Sequence, residues 1–167
     1  LPGNGFDTYE EQDRVLMGLS GSVRSGVAVR ILQQQGFAVA AAVVRLADTP
    51  EEHAAAEAAK ALAKKLDVEC LALNAEALAG QDVEAARFAA LLTAADKLGI
   101  QYVASGHYAR METDTQGVSH LFPPESGAPD ESSRLAALSP EVLARLILPL
   151  GDFAPEDVED MAEDFKL

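Results

Sequence analysis

The apolar residues of this chain occur in short continuous runs that alternate with segments of helical spacing. Residues 15–19 form the first run, and the small residues 20–22 follow it. Apolar residues then recur at a spacing of four, as expected on one face of a helix: Val23, Val27 and Ile31. Gly36 ends this helix, and 37–44 form a second apolar run, which is typical of a strand covered on both faces. This order predicts a strand, a tight turn, a helix and a second strand.

The same alternation continues to residue 104. Thr49 as a cap, Pro50 at the first helical position and acids at 51–52 predict a second helix that ends near Leu66. Three further elements are predicted: a strand over 68–73, a helix over 82–98 ended by Gly99, and a strand over 100–104. The βαβαβαβ order with short connections predicts an α/β fold with a doubly wound, mostly parallel sheet.

The regular alternation of predicted strands and helices ends after residue 104. Segments 108–112 and 118–122 flank a turn and predict a hairpin, and a short helix is predicted over 139–146. An acidic helix starts at Pro155 and carries an apolar stripe that includes Met161. We expect this last helix to dock on its own domain or on a second copy of the chain.

Composition and charge limit the classes of function. The 167 residues are 49% hydrophobic, which supports one hydrophobic core. We expect a flexible segment over 1–13, where no apolar periodicity occurs, and a single domain over 14–167. The formal charge of −14 repels polyanions, so tRNA binding by this chain alone is not expected.

The single cysteine excludes an intrachain disulfide and a site built from several thiolates, which fits a reducing compartment. Cys70 lies inside the third predicted strand, where a buried structural thiol is expected. No apolar run reaches the roughly 18 residues of a membrane span, and no signal-peptide pattern opens the sequence. These features predict a cytoplasmic protein without membrane contact.

The loop after the first strand is the candidate site. Ligands of parallel sheets bind beyond the carboxyl ends of the strands, where loops present free backbone N–H groups at a helix N-terminus. Residues 20–26 are small, and hydroxyl groups could add donors for an anion: Ser20, Ser22 and Ser25. The alternative is a tight turn that only packs the first helix on the sheet. Neither a Walker lysine nor dinucleotide-fingerprint spacing is present.

Three segments resemble the tRNA 2-thiouridylases of the PP-loop ATP pyrophosphatase group, in the same order. Gly18-Leu19-Ser20-Gly21-Ser22-Val23-Arg24-Ser25-Gly26-Val27-Ala28 is similar to the family's S-G-G-x-D-S-x-V-A loop. Residues 104–110 are similar to A-T-G-H-Y-A-R, and 138–151 to L-S-x-E-x-L-x-R-x-x-F-P-L-G. The resemblance implies the Rossmann-like three-layer α/β/α fold of the adenine nucleotide alpha hydrolases, extended here by the C-terminal hairpin and short helices.

The resemblance also implies a site for ATP or AMP, or for a similar phosphate-bearing anion. The pyrophosphate would rest on the loop, the adenine would lie at the second strand end, and the fourth strand end would form the opposite wall. The residues implied are Gly18, Leu19, Ser20, Gly21, Ser22, Val23, Arg24, Ser25, Val44, Gly106 and His107. Family members adenylate a wobble uridine of tRNA, and a cysteine pair then delivers sulfur.

The sequence departs from the family where that chemistry occurs. Arg24 replaces the loop aspartate, and a guanidinium cannot ligate magnesium; it would contact phosphate itself or point into solvent. The segment between Asn74 and Phe88 is too short for the family's nucleophilic cysteine segment. Residues 129–132 resemble the K-D-Q-S segment at the tRNA contact, but Pro129 replaces its lysine and Glu131 its glutamine. The family's persulfide cysteine and β-rich tRNA-binding domains follow the segment matched here.

The histidines predict no metal site, because none has metal-ligand spacing with a third ligand. His107 is expected to hydrogen-bond a nucleotide or to fix the hairpin, whereas His53 is expected on the surface and His120 in the hairpin. The leading hypothesis is a degenerate relative that corresponds to the first part of the family's chain and binds an adenine nucleotide without sulfur transfer. The alternatives are an interaction or oligomerisation module with a closed cleft, and an adenylating enzyme that uses a partner's sulfur.

Overall fold

The computed structural model describes residues 13–125 and 127–167. The flexible segment predicted over 1–13 lies outside the described residues except for Asp13. The strands are β1 (Arg14–Gly18), β2 (Ala38–Arg45), β3 (Cys70–Asn74), β4 (Tyr102–Ala104), β5 (Arg110–Thr113), β6 (Ser119–Phe122) and β7 (Leu146–Ile147). The helices are α1 (Val23–Gln34), α2 (Pro50–Leu66), α3 (Val83–Leu98), α4 (Pro140–Arg145) and α5 (Pro155–Asp164), with 3-10 turns at Glu76–Leu78 and Ser132–Leu135.

Five strands form one parallel sheet in the order β3-β2-β1-β4-β7. Strand β1 lies at the centre, where Leu16 is paired with Ala40 of β2 on one side and Val103 of β4 on the other. The predicted doubly wound parallel sheet is confirmed. The prediction of four parallel strands was wrong by one, because β7 is only two residues long and follows α4 directly.

Apolar layers cover both faces of the sheet. Val15 and Met17 of β1 belong to a cluster with residues of α1, α2 and α5, whereas Leu16 belongs to a second cluster with residues of α3 and α4. All three side chains are fully buried. Because successive residues of a strand point to opposite faces, a central strand between two helical layers requires a continuous apolar run.

Local signals set the helix ends as predicted. The Glu52 backbone N–H donates to Thr49 Oγ1 (3.2 Å), and the Ala85 N–H donates to the Asp82 carboxylate (3.0 Å). Gly99 ends α3 with a φ of 70°, a left-handed conformation that favours glycine.

The C-terminal elements complete the domain. Strands β5 and β6 form the predicted antiparallel hairpin. Helix α5 packs on the same apolar cluster as α1, with Val158 and Ala162 buried. The last helix was predicted to dock on its own domain or on a second copy, and the structure shows it docked on its own domain. No helix in the described ranges has the length and apolar character needed to cross a membrane.

Candidate functional site

A cavity of about 210 Å³ lies at the carboxyl ends of β1, β2 and β4. Nine of the eleven residues predicted for the site line it: Gly18, Leu19, Ser20, Ser22, Arg24, Ser25, Val44, Gly106 and His107. They come from three separate segments, which the parallel order of the strands brings to one edge of the sheet. The topology therefore assembles the predicted residues around one opening.

Two predicted residues do not line this cavity. A Cβ built on Gly21 would lie 2.6 Å from the Ala58 Cβ, so the loop here packs directly on α2. Val23 is 45% exposed and lies in a shallow depression against α5. Gly21 therefore supports the loop from behind, and Val23 faces away from the opening.

The serine hydroxyls hold the loop together. Ser22 caps α1 by accepting from the Ser25 backbone N–H (3.3 Å), and the Ser25 hydroxyl lies 2.7 Å from the Ser22 carbonyl oxygen. Ser20 Oγ lies 2.8 Å from Ser22 Oγ. The sequence predicted these hydroxyls as donors to a ligand; in the structure they bond to the loop itself.

Several backbone amides of the loop stay available. Within the described ranges, no hydrogen bond involves the N–H groups of Gly21, Val23 or Arg24. These groups lie at the positive end of the α1 dipole, where an anion is stabilised. The loop thus has the electrostatics that the sequence predicted, supplied by backbone amides.

Arg24 does not simply point into solvent, and its predicted contact with phosphate stays a prediction. Its Nη2 donates to Glu131 Oε2 (3.2 Å), and its guanidinium lies 4.5 Å from the centre of the Tyr108 ring. The Tyr108 backbone N–H donates to the other carboxylate oxygen of Glu131 (2.7 Å). Burial raises the pKa of Glu131, but the Tyr108 amide and the Arg24 charge outweigh burial and hold that pKa below its usual value. Arg24 is therefore paired inside the protein.

A line of three polar side chains forms the inner wall, of which Ser105 and Glu84 are buried and His107 is nearly so. Ser105 Oγ lies 2.7 Å from His107 Nδ1, and His107 Nε2 lies 3.3 Å from Glu84 Oε2. Arg134 and Arg87 approach the same Glu84 oxygen at 3.4 Å and 3.6 Å. Burial raises the pKa of Glu84, but His107 and the two arginines outweigh it, so the net shift is downward.

His107 is packed, as one alternative predicted, but it ties the end of β4 to α3 and not to the hairpin. His53 and His120 lie on the surface and in the hairpin as predicted, where each pairs with an aspartate. Within the described part of the chain, no cluster of three His, Cys, Asp or Glu residues could hold a metal ion.

Cys70 is half-buried, less than predicted, and it lies far from the cavity. It starts β3 beside Ala41, whereas Val44 of the cavity pairs with Leu73, three residues further along. This offset corresponds to roughly 10 Å at the rise of a β-strand. Burial raises the pKa of the Cys70 thiol, which disfavours the reactive thiolate.

Sequence reasoning missed the part of the site that comes from α2, α3 and the 3-10 turn at Ser132–Leu135. The missed lining residues with polar or aromatic side chains are Glu52, Glu84, Arg87, Phe88, Ser105 and Arg134. One sequence signal could have pointed to Glu84 and Arg87: they are the only charged residues between positions 83 and 95, in a helix that is otherwise mostly apolar. No comparable sequence signal marks Arg134, whose position depends on tertiary packing.

The family model described as tRNA methyl transferase HUP domain matches residues 13–84 and 83–167. The tRNA-specific 2-thiouridylase MnmA of Yersinia pestis is 33% identical over 184 residues, covering 93% of this chain and 49% of the relative. The enzyme of the same name from Streptococcus thermophilus is 30% identical over 183 residues, again covering 93% and 49%. The chain thus spans about half the length of the curated relatives it matches.

Solved structures of low sequence identity share the fold. The U34-tRNA thiolase NcsA of Methanococcus maripaludis, solved with its [4Fe-4S] cluster, matches with a TM-score of 0.63 at 16% identity, covering 93% of this chain and 57% of that one. A predicted subunit of tRNA methyltransferase from Methanocaldococcus jannaschii matches with a TM-score of 0.52 at 16% identity, covering 91% and 76%. The family match and the fold agree with each other, and the chain belongs to the tRNA methyl transferase HUP domain family, as a relative of the tRNA-specific 2-thiouridylases.

Proposed function

We propose that this chain is an adenine-nucleotide-binding domain of the tRNA-thiolation type that carries out no sulfur transfer of its own. The observation that supports it best is the cavity at the strand ends, next to a loop in which the N–H groups of Gly21, Val23 and Arg24 make no hydrogen bond within the described residues. Backbone amides at the start of a helix, next to an opening in a parallel sheet, are suited to a phosphate group.

The walls of the cavity suit the other parts of a nucleotide. Ala42 and Val44 give the β2 side an apolar surface on which a flat base can lie. Gly106 forms the opposite wall, where a Cβ would lie 3.4 Å from the Ser25 Cα. The absence of a side chain at Gly106 thus lets this wall lie close to the first turn of α1.

The proposed absence of sulfur transfer follows from the only cysteine of the sequence. Sulfur transfer needs a thiolate beside the activated substrate. Cys70 lies toward the amino end of β3, whereas the cavity lies at the carboxyl ends, and burial raises its pKa. The family model also matches in two segments that meet at 83–84, next to the place where the cysteine segment of the family is expected to be missing.

A second candidate function is a non-catalytic interaction module. The observation that favours it is that the loop hydroxyls and Arg24 already have partners within the chain. Under this alternative the cavity would be a remnant without a ligand, and the surface of the domain would contact another protein.

Titration with ATP, AMP and pyrophosphate separates these candidates. A ligand that binds only the folded state at one hundred times its Kd adds about 2.7 kcal/mol of stability. For a domain of this size we expect the Tm to rise by roughly 5–10 °C. An unchanged Tm at millimolar nucleotide would contradict nucleotide binding and favour the interaction module.

A matched pair of variants locates the binding. Ser22→Asp keeps a good N-cap on α1 but places a negative charge where the phosphate would lie, so affinity should fall at least about tenfold. Ser139→Asp makes the same change at the cap of α4, outside the cavity, and should bind nucleotide normally. Equal affinities of the two variants would place the ligand elsewhere.

A separate assay addresses retained adenylation. If the chain is a nucleotide-binding domain without turnover, no pyrophosphate should be released from ATP when tRNA is added. Release of pyrophosphate would instead identify an adenylating enzyme that receives sulfur from another protein. We expect any such activity to belong to the cytoplasm, where the tRNA substrate is found.

A further inference from the structure

The charged side chains around the cavity carry an inference that rests on the proposed function and concerns magnesium. The resemblance to the thiouridylases implies a magnesium ion beside the phosphate loop. Magnesium prefers carboxylate and water oxygens in near-octahedral geometry. The carboxylates near the loop are those of Glu131, Glu84 and Glu52.

Both oxygens of Glu131, the carboxylate next to Arg24, already accept hydrogen bonds. One oxygen accepts the Tyr108 backbone N–H (2.7 Å), and the other accepts Arg24 (3.2 Å) and Arg134 (3.1 Å). Its side chain is only 13% exposed. A metal bound here would have to displace two guanidinium groups from a largely buried carboxylate, which is costly.

The two glutamates that line the cavity are also engaged. Glu84 has His107, Arg134 and Arg87 around a single oxygen, within 3.3–3.6 Å. Glu52 accepts the Leu46 backbone N–H at 2.8 Å. Each carboxylate near the loop is thus already balanced by a cation or an amide, and the described residues include no cluster of three His, Cys, Asp or Glu side chains that could hold a metal. This donor set does not fit a magnesium ion beside the loop.

Arginines supply positive charge at the same place. Arg24, Arg87 and Arg134 line the cavity, against Glu52 and Glu84, so its lining is net positive in a chain of charge −14. Arg87 and Arg134 are 40% and 54% exposed and hold Glu84 only at 3.4–3.6 Å. The Arg87 guanidinium can turn toward a phosphate, and Arg134 can do so by giving up its 3.1 Å contact with Glu131, whereas Arg24 is held by both Glu131 and the Tyr108 ring.

We infer that this site takes its nucleoside phosphate without a divalent cation, and that Arg87 and Arg134 make the phosphate contacts that magnesium makes in metal-dependent sites. Arginine suits this role because its planar fork of donors matches two phosphate oxygens at once. Binding should therefore depend on ionic strength and on these two arginines, but not on magnesium.

Calorimetric titration of the whole chain with ATP, in excess EDTA and in excess magnesium, tests the inference. Affinities that agree within about twofold support it. Binding only with magnesium would overturn the inference and leave the proposed function intact. No binding under either condition would overturn the proposed function together with the inference.

Arginine variants test which side chains replace the metal. Arg87→Gln and Arg134→Gln should each weaken ATP binding in EDTA about tenfold, because each removes a charge-assisted contact. The control is Arg110→Gln, in the hairpin, which pairs with Glu112 and does not line the cavity. Affinities equal to the control would show that these arginines do not contact the ligand.

A double variant tests the role of the paired charges. Arg24→Asp together with Glu131→Gln places a carboxylate beside the loop and removes the acid that would repel it. We expect ATP binding by this variant to become at least about fivefold tighter with magnesium than in EDTA. Equal affinity under both conditions would overturn the role assigned to the Arg24–Glu131 pair.

Discussion

Helices α1 and α2 begin at the same edge of the sheet, after the neighbouring strands β1 and β2, but their first turns differ in charge. Thr49 caps α2, Pro50 follows, and Glu51 and Glu52 lie in the first turn. Ser22 caps α1, whose first turn has no acidic residue and contains Arg24. Both caps use the same kind of hydrogen bond, so the difference lies in the charge around them.

The positive end of a helix dipole can be compensated by acidic side chains of the protein or left without them. In α2 the protein supplies its own negative charge, and Glu52 also accepts the Leu46 backbone N–H at 2.8 Å. Among the described helices of eight residues or more, α3 and α5 also have acids in the first turn, and α1 has none. The start of α1 is therefore the helix end left available for an external anion.

The loop and the first turns of α1 pack against the second half of α2. A Cβ on Gly26 of α1 would lie 3.2 Å from a methyl carbon of Leu62 of α2, and Gly21 lies directly on Ala58. Helix α2 thus supports the back of the loop while its own first turn is closed by acids. Loss of this contact should therefore weaken both helices.

The largest effect is expected for Leu62→Ala, which removes a buried side chain between the two helices. Buried leucine truncations cost about 2–5 kcal/mol, so the free energy of unfolding should fall by about 3 kcal/mol. Urea denaturation measures this change. The matched control is Leu98→Ala, at a leucine that is 41% exposed, where a loss below about 1 kcal/mol is expected. Similar losses for both would show that α2 does not support the loop.

A smaller effect is expected for the caps. Thr49→Ala and Ser22→Ala should each cost about 1 kcal/mol of stability without nucleotide, because each removes an N-cap acceptor. With saturating ATP, Thr49→Ala should gain as much stability as the unchanged protein, whereas Ser22→Ala should gain less. Thermal unfolding with and without ATP measures both. Equal gains would contradict the view that only the start of α1 meets a ligand.

The smallest effect concerns acid pH. Glu84 and Glu131 have folded-state pKa values below their usual values, so each stabilises the fold above about pH 4.3 and loses that contribution as pH falls through its folded-state pKa. Glu131→Gln should therefore flatten the loss of stability on acidification. Unfolding curves between pH 6 and pH 3 measure the slope. Glu125→Gln, at a side chain 73% exposed, is the control, and an identical slope for both variants would contradict the prediction.

The accuracy of the sequence predictions depends on how far apart the interacting residues are in the chain. The cap Thr49 was predicted correctly, and the start of α3 was predicted to within one residue of its cap Asp82, because the groups these side chains bind lie three residues away. The two-residue strand β7 was missed, because its pairing with β4 joins residues more than 40 positions apart. Short-range hydrogen bonds leave a pattern in the sequence, and long-range pairs do not.

The same contrast applies to the site. Backbone amides at the start of α1 follow from the strand-turn-helix order, so the loop and its helix dipole were predictable. For Arg24 a contact with phosphate or solvent was predicted, whereas its pairing with Glu131, 107 positions away, was not. Glu84 meets His107 across 23 positions, and no local rule links them.

Local sequence was enough to predict the alternation of elements, the helix ends, the buried central strand and the loop that opens α1, because each depends on residues within a few positions of one another. Which side chains meet across the cavity depends on the folded arrangement of distant segments. Those contacts depend on how α3 and the turn at Ser132–Leu135 pack against the sheet. In this packing each carboxylate that lines the cavity has a hydrogen-bond or ion-pair donor, and the guanidinium groups of Arg87 and Arg134 stay partly exposed.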